Sequence, residues 1–311
     1  MEYNSSIFVA GHNGLAGSSL VRKLKQLGYR NIMTVDRHRL DLRNQLEVKR
    51  YFAIQKPEYV FLAAAKVGGI NYNKNNPAEF IYDNLAIQTN VIHSAYENNV
   101  KKLMFLGSAC IYPKITEQPI KEEYLMTGPL EETNEGYALA KIAGMKMCEK
   151  YRKQYGFNAI SVMPANLYGI NDNFNIEQCH VIPAMINKFH NAKINGDLKV
   201  TLFGDGTPTR EFLHVDDLSD ALIFLMNNYE DEGHINIGSG REYSIKEVAD
   251  IVAKIVGYQG KIEWDTTKPN GTPRRKLDTS RLDKLGWSSA VDLEVGIDDT
   301  YGWFLENDDY L

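Results

Sequence analysis

Short apolar runs alternate with longer stretches of helical period through the first half of the chain. Five of these runs are predicted to be strands: SIFVAG, NIMTVD, YVFLAAA, KLMFLGS and AISVMPANL. Between them, AGSSLVRKLKQLG and similar stretches place apolar residues every three or four positions, as helices that cover a sheet do. The alternation predicts repeated βα units and therefore an α/β fold with a doubly wound parallel sheet of the Rossmann type.

The pattern changes after about Tyr168, where the loops become longer. A helix is predicted to start near Pro183, a strand at KVTLFG and another helix at DDLSDALIFLMNN. Ser244 and Glu247 have the spacing of a capping box at the start of YSIKEVADIVAKIVG, and Gly257 is placed to end that helix.

The helix DDLSDALIFLMNN resembles those of the first half, so the second domain is predicted to be non-contiguous. Residues 1–167 with 208–232 are assigned to a nucleotide-binding domain. Residues 168–207 with 233–311 are assigned to a smaller, mixed α/β substrate domain.

Composition narrows the class of protein. The 311 residues are 43% hydrophobic, which allows one large domain or two closely joined ones. The 40 Asp and Glu outnumber the 35 Lys and Arg, so no general attraction to nucleic acid or to a membrane surface is expected. No export signal or membrane-spanning run is recognisable, and three cysteines without CxxC spacing argue against disulfides and a zinc site. We expect a cytoplasmic protein without a metal.

The sequence GHNGLAG follows the first predicted strand and leads into a helix. Gly11, Gly14 and Gly17 recur at three-residue intervals, which permits a tight turn and a close approach of backbone amides to a pyrophosphate. The loop therefore predicts a dinucleotide site.

The end of the second predicted strand, VDRHRLDL, bears on the choice of cofactor. An acidic residue there usually binds the ribose hydroxyls of NAD, whereas an arginine accommodates the phosphate of NADP. The chain has Asp36 followed by Arg37 and Arg39, and NADP(H) is predicted.

Tyr137 and Lys141 in NEGYALAKIAG lie four residues apart, so a helix presents both on one face. The ammonium is expected to lower the pKa of the tyrosine, which would help it to donate a proton to a developing alkoxide. Ser108, at the end of an intervening strand, completes a group suited to ketone reduction.

These motifs resemble the extended short-chain dehydrogenase/reductase superfamily. Within it, LAAAKVGGI, GSACIYPK, NEGYALAKIAG, MPANLYG, HVIPAMINKFH, GDGTPTREFLHVDD and KPNGTPRRKLD are similar to the GDP-L-fucose synthase family. The resemblance implies an NADPH-dependent enzyme that epimerises GDP-4-keto-6-deoxy-mannose at carbons 3 and 5 and reduces it at carbon 4. It also implies a homodimer, formed through the helices that flank the YxxxK motif.

The resemblance further implies a set of cofactor contacts. They are Gly11, Asn13, Gly14, Leu15, Gly17, Asp36, Arg37, Asp41, Leu42, Ala63, Ala64, Leu106, Tyr137, Lys141, Pro164, Asn166, Leu167 and His180. Asn13 stands where the family can have a basic residue, and Asp36 would repel the phosphate of NADP if it pointed inward.

Epimerisation needs a base on one face of the sugar and an acid on the other. By analogy with the family, Cys110 is the base and His180 the acid. Ser108 and Cys110 are two residues apart, and an extended strand end would point both to one face. Cys148 lies about 16 Å along the helix from Tyr137 at 1.5 Å per residue and is assigned to packing. Cys179 has no assigned role.

The resemblance implies substrate contacts at Ser108, Cys110, Asn166, Lys188, Phe203, Arg210 and Lys261. Lysine replaces arginine at two of these positions, which leaves open a related substrate such as a GDP-4-keto-heptose.

Three alternatives stay open at this point: a C4 reductase alone, a sugar-nucleotide 4,6-dehydratase and a non-catalytic NADP-binding protein. Ala109 and Cys110 stand where a dehydratase would have an Asp and a Glu. A hydrolase triad of Ser108 with His214 and Asp216 is rejected, because no G-x-S-x-G elbow precedes the serine.

Overall fold

The computed structural model describes residues 1–268 and 270–307. The last residues of the predicted substrate domain, 308–311, lie outside the described part. The first part of the chain contains β1 (Ile7–Ala10), α1 (Leu15–Gln26), β2 (Ile32–Met33), α2 (Gln45–Gln55), β3 (Tyr59–Leu62), α3 (Ile70–Asn75), α4 (Pro77–Glu97), β4 (Lys102–Leu106), α5 (Glu135–Tyr155) and β5 (Ala159–Pro164). The second part contains β6 (Asn166–Tyr168), α6 (Val181–Asn195), β7 (Lys199–Phe203), β8 (Thr209–His214), α7 (Val215–Asn228), β9 (Ile235–Ile237), β10 (Glu242–Ser244), α8 (Ile245–Val256), β11 (Lys261–Asp265), β12 (Arg274–Arg275), α9 (Ser280–Lys284) and α10 (Leu293–Glu306).

A six-stranded parallel sheet, in the order β2-β1-β3-β4-β5-β9, confirms the predicted α/β fold. Strands β1, β4 and β5 are buried along their whole length, as strands covered on both faces by helices should be. All five predicted strands are present, although β2 has only two residues. The sixth, β9, was not predicted, because its three residues include only two apolar positions, too few to give a pattern.

The order of the strands reverses next to β1, since β2 lies on one side of it and β3 on the other. In open parallel sheets, ligands bind outside the carboxyl ends of the strands at such a reversal. Gly11 directly follows β1, and Ala63 directly follows β3. The topology therefore brings the glycine loop to the place where a nucleotide is expected.

A second hydrophobic core lies under the remaining elements. Strand β8 pairs with β6, β10 and β12, while β7 and β11 form a separate parallel pair. Helices α6, α8 and α10 supply most of the buried residues of this core. The predicted domain boundary between residues 232 and 233 stays a prediction. Strand β9, which follows this boundary, packs in the core of the first part together with Leu277 and Trp287.

The ends of two helices test the local expectations. Helix α8 begins with the predicted capping box, in which Ser244 Oγ accepts from Glu247 N at 3.1 Å, and it ends at Gly257 with φ of 77°. Helix α6 begins at Val181, with His180 at its N-cap, two residues earlier than predicted. Pro183 is tolerated there, because the N–H groups of the first turn have no partner within the helix. None of the described helices is long and apolar enough to cross a membrane.

Candidate active site

The glycine loop is closely packed against its neighbours. A Cβ on Gly11, whose φ is 88°, would lie 2.6 Å from the backbone of Ala64, and one on Gly17 would lie 2.1 Å from Gly11 O. Gly14 is the N-cap of α1 and Leu15 its first residue, and no side chain caps this end of the helix. The first N–H groups of α1 therefore remain available to an anion, and the residues present fit a pyrophosphate.

Asp36 is directed towards the glycine loop. Asn13 Nδ2 donates to Asp36 Oδ1 at 2.8 Å, and His12 Nε2 lies 3.4 Å from the same oxygen. The hydrogen bond from Asn13 is the main cause that lowers the pKa of Asp36. The carboxylate of Asp36 thus binds Asn13, which occupies the position where the family can have a basic residue. The side chain of Arg37, the next residue after Asp36, is exposed.

Asp41 is held by an internal ion pair that sequence reasoning missed. Arg43 Nη2 lies 2.7 Å from Asp41 Oδ2, and its Nη1 lies 3.0 Å from Asp83. Of the other predicted cofactor residues, Leu42 lies in the loop between β2 and α2, and the rest lie at or next to strand ends: Ala63, Ala64, Leu106, Pro164, Asn166 and Leu167.

Tyr137 and Lys141 are brought together on α5, as predicted. Lys141 is 3% exposed, its Nζ donates to Leu106 O at 2.7 Å, and it lies 5.7 Å from the centre of the Tyr137 ring. Burial lowers the pKa of Lys141 to about 7 and raises that of Tyr137, while a hydrogen bond with Ser108 acts in the opposite direction on the tyrosine. The expected lowering of the Tyr137 pKa is therefore wrong for the protein alone, because desolvation and the charge of Cys110 raise this pKa more than the hydrogen bond with Ser108 lowers it.

Ser108 and Cys110 do not lie on an extended strand end, so this expectation is also wrong. Residues Ala109–Ile111 form a 3₁₀ turn, in which Ser108 Oγ accepts from Cys110 N at 3.3 Å. A charge on Cys110 nevertheless acts on the pKa of both Tyr137 and Lys141. The turn therefore brings the thiol, the tyrosine and the lysine into one site.

Two residues that sequence reasoning missed hold this turn. Arg275 Nη2 donates to Ala109 O at 2.9 Å and to Tyr112 O at 3.0 Å, although more than 160 residues separate them. Asn134 Nδ2 donates to Cys110 Sγ at 3.3 Å. Only tertiary structure creates these contacts, although both residues lie inside motifs that the sequence singled out.

His180 lies at the N-cap of α6, directly after two residues whose backbone contacts Gly69. Gly69 N donates to Gln178 O at 2.7 Å, and a Cβ on Gly69 would meet Cys179 O at 2.4 Å. The side chain of His180 is accessible to solvent, and desolvation by the surrounding protein lowers its pKa. Its role as the acid stays a prediction, and burial raises the pKa of Cys179 to about 11.

Of the predicted substrate residues, Lys188 and Phe203 lie together, and Lys268, which was not predicted, lies beside them. Lys188 Nζ lies 5.0 Å from the centre of the Phe203 ring, and Lys268 Nζ lies 6.0 Å from it. Lys261 starts β11, whereas Phe203 pairs with Asp265 at the far end of the same strand pair, about 13 Å away at 3.3 Å per residue. The structure thus brings Lys268, and not Lys261, to Phe203.

Arg210 lies next to Arg275 on the neighbouring strand β12. The two residues are in register, and burial together with the charge of Arg275 lowers the pKa of Arg210 to about 10. Asn166 Nδ2 donates to Glu211 O at 3.0 Å, on the same strand as Arg210. Two guanidinium groups side by side favour the binding of an anion such as a diphosphate.

The groups that the sequence assigned to structure are structural. Cys148 is 1% exposed, and burial raises its pKa to about 12. Asp216 Oδ1 accepts from Ser19 Oγ at 2.7 Å, and His214 Nδ1 accepts from Asp216 N at the start of α7. The hydrolase triad is therefore absent. Among the described residues, no three His, Cys, Asp or Glu side chains converge as metal ligands.

A parallel sheet with a glycine loop, a strand-end serine and a YxxxK helix defines a nucleotide-dependent enzyme that acts on a carbonyl or hydroxyl carbon. The sequence model of the NAD dependent epimerase/dehydratase family matches residues 7–238. The chain is 56% identical to GDP-L-fucose synthase 1 of Arabidopsis thaliana over 98% of this chain and 94% of that protein.

Two solved structures are also similar. A GDP-6-OMe-4-keto-L-xylo-heptose reductase from C. jejuni has a TM-score of 0.94 and 40% identity, covering 98% of this chain and 99% of that one. A GDP-L-fucose synthetase from Naegleria fowleri bound to NADP has a TM-score of 0.93 and 30% identity, covering 99% and 96%. The chain belongs to the NAD dependent epimerase/dehydratase family, and within it to the group of the GDP-L-fucose synthases.

Proposed function

We propose that the protein converts GDP-4-keto-6-deoxy-mannose into GDP-L-fucose by epimerisation at carbons 3 and 5 and reduction at carbon 4. The observation that carries this proposal is the position of the Cys110 thiol beside Tyr137 and Lys141. Reduction alone needs the tyrosine and the lysine, whereas a nearby thiol adds a base for removing a proton from carbon. The relative from Arabidopsis thaliana has the same activity in its name.

The substrate carbonyl explains how one site can serve both reactions. Carbons 3 and 5 flank the ketone at carbon 4, so removal of a proton from either gives an enolate with its charge on the same oxygen. Hydroxyl groups of Ser108 and Tyr137 bind that oxygen and stabilise the charge. Cys110, as a thiolate, takes the proton, and His180 returns one to the opposite face of the carbon.

Reduction uses the same oxygen. NADPH, when bound, supplies the hydride that reaches carbon 4. Tyr137 donates its proton to the developing alkoxide, and the Lys141 ammonium stabilises the tyrosinate that remains. The tight packing of Gly11 and Gly17 and the uncapped start of α1 support binding of the cofactor pyrophosphate.

The cofactor is proposed to be NADP(H). Arg37 is exposed beside the loop, and Asn13 binds the carboxylate of Asp36, which leaves an arginine for the additional phosphate. The structure from Naegleria fowleri was solved with NADP.

The diphosphate and base of GDP are proposed to bind between β8 and the loop after β11. Arg210 and Arg275 supply two guanidinium groups for the diphosphate, while Phe203 offers an aromatic face between Lys188 and Lys268. This cluster gives an acidic protein a local positive site.

A second candidate is reduction at carbon 4 alone, on a GDP-4-keto-heptose. The similarity to a heptose reductase from C. jejuni favours it. Cys110 and His180 would supply the base and the acid for epimerisation, and only the reaction tests their use.

The test is to incubate the protein with GDP-4-keto-6-deoxy-mannose in deuterated water, with and without NADPH, and to follow the products by NMR. Deuterium at carbons 3 and 5 and formation of GDP-L-fucose are expected. Reduction without deuterium at these carbons would refute epimerisation and favour the second candidate. Absence of any turnover, while NADPH still binds, would contradict both.

The assembly is proposed to be a homodimer formed through α4 and α5. Tyr82 and Leu139 on these helices are 66% and 44% exposed, which provides apolar surface for a partner. A mass of twice 35.3 kDa in light scattering is expected, and substitution of Tyr82 and Leu139 by Glu should give the monomer. The three free cysteines also support a reducing compartment, the cytoplasm.

A further inference from the structure

Asn134 lies at the N-cap of α5, the helix that carries Tyr137 and Lys141. An asparagine at this position usually accepts a hydrogen bond from a backbone N–H of the first turn. Asn44 does so at α2, where its Oδ1 accepts from Leu46 N and Glu47 N. The side chain of Asn134 makes no capping bond, and its Nδ2 donates to Cys110 Sγ instead.

The other end of the same amide is also unusual. Asn134 Oδ1 is buried and has no hydrogen-bond partner among the described residues. A buried acceptor without a partner destabilises a protein. Stability therefore does not explain the orientation of this side chain, whereas a function at Cys110 does.

We propose that Asn134 is a positioning residue that fixes the Cys110 sulfur in the site and favours its thiolate form. An amide N–H is a donor, and a thiolate is a much better acceptor than a thiol. The proposal rests on the proposed function only in assigning the thiolate to removal of a proton from the sugar.

Other groups also face this sulfur, and the contribution of Asn134 has to be separated from theirs. Tyr137 and Lys141 approach from α5, Ser108 Oγ binds the N–H of Cys110, and Arg275 from β12 binds the adjacent carbonyl of Ala109. Lys141 supplies positive charge near the sulfur, whereas Asn134 supplies a direct hydrogen bond.

The variant Asn134→Ser separates positioning from helix stability. Serine is a good N-cap, but it is too short to reach the sulfur. The melting temperature should therefore stay the same or rise. Exchange of deuterium into carbons 3 and 5 should fall about tenfold or more, the usual range for loss of a hydrogen bond to a charged group. Reduction of the already epimerised ketone should keep its rate.

A second measurement needs no substrate. Alkylation of Cys110 by iodoacetamide is followed against pH by peptide mass spectrometry, which distinguishes it from Cys148 and Cys179. In Asn134→Ser, alkylation near neutral pH should slow. In Asn134→Asp, a carboxylate near the sulfur should move the midpoint up by about one pH unit or more. Asn44→Ser, a matched change at an N-cap distant from any thiol, should behave as wild type.

An unchanged alkylation profile in both Asn134 variants would overturn the proposal. Equal losses of exchange and reduction, together with a lower melting temperature, would overturn it as well, since they indicate a purely structural role. If wild type catalyses no exchange, the proposed function fails, and the alkylation profiles still decide the role of Asn134.

Discussion

The two halves of α5 use similar residues in opposite ways. In the first half, Lys141 is buried, and its neighbour Tyr137 faces the thiol of Cys110. In the second half, Cys148 packs in the core, where burial raises its pKa to about 12. The polar groups buried by the first half lower the stability of the protein. The second half contributes to stability by ordinary hydrophobic packing. Function and stability should therefore respond separately to substitutions in the two halves.

The largest effect is expected for Tyr137→Phe, which removes the proton donor in the first half. Reduction should fall by about a thousandfold, within the range for loss of a general acid. The melting temperature should change little, because phenylalanine keeps the ring and only the hydrogen bond with Ser108 is lost. NADPH oxidation at 340 nm and thermal unfolding measure the two quantities. A large loss of stability would show that packing in the first half of α5 also stabilises the protein.

The next largest effect is expected for Cys110→Ser, compared with the same change at Cys148. Deuterium exchange at carbons 3 and 5 should fall by about a hundredfold or more, since serine is a much weaker base near neutral pH. Reduction of the epimerised ketone should change far less. Cys148→Ser should leave both rates intact and lower stability by about 1 kcal/mol or more, because it buries a hydroxyl. Equal rate losses in the two variants would contradict the comparison.

A smaller effect is expected at Arg275, which holds the turn of Cys110 from a distant part of the chain. Arg275→Gln removes two hydrogen bonds to carbonyl oxygens and should reduce deuterium exchange by about tenfold. Arg274→Gln is the matched control, because Arg274 pairs with Glu242 in an exposed ion pair. The result to look for is a difference between the two variants at saturating substrate, where loss of the proposed diphosphate contact has no effect on the rate, and identical rates would exclude a role for Arg275 in the turn.

The smallest expected effect is the pH dependence that Lys141 gives to stability. Its pKa in the folded protein is about 7, compared with an ordinary value of 10.5. Between these values the unfolded chain binds the proton and the folded protein does not, so stability rises with pH in this window. Between pH 7 and pH 10, the free energy of unfolding of wild type should rise by about 1 kcal/mol or more relative to that of Lys141→Met, as measured by urea unfolding. Parallel curves for the two proteins would show that Lys141 stays charged.

Strands and helices could be predicted from the sequence where the pattern of apolar and polar residues extends over several positions. Strands β1, β3, β4 and β5 and the capping box of α8 all have local sequence signals, and each is present. Strand β9 has only Ile235–Ile237 and gave no signal of its own.

Site residues could be predicted from the sequence where they belong to a family motif. Contacts between segments that are distant in the sequence could not be predicted. Ser108, Tyr137 and Lys141 were predicted to act together, and the contacts bring them together. The 3₁₀ turn at Cys110 was missed, because two polar residues at a strand end do not reveal whether the strand continues. That Lys268 lies beside Phe203 was not predicted, because the register of β11 against β7 depends on pairing across the fold, and Lys261 as a substrate contact stays a prediction.

The bond between Arg275 and the turn at Ala109 also limits how such enzymes can be recombined. Chimaeras that exchange the C-terminal segment between relatives will separate the arginine from the turn that it fits, although the breakpoints look harmless in an alignment. Residues 109–112 and 274–275 are therefore best inherited as one module. A designer who alters the proposed nucleotide site around Phe203 should leave this pair intact.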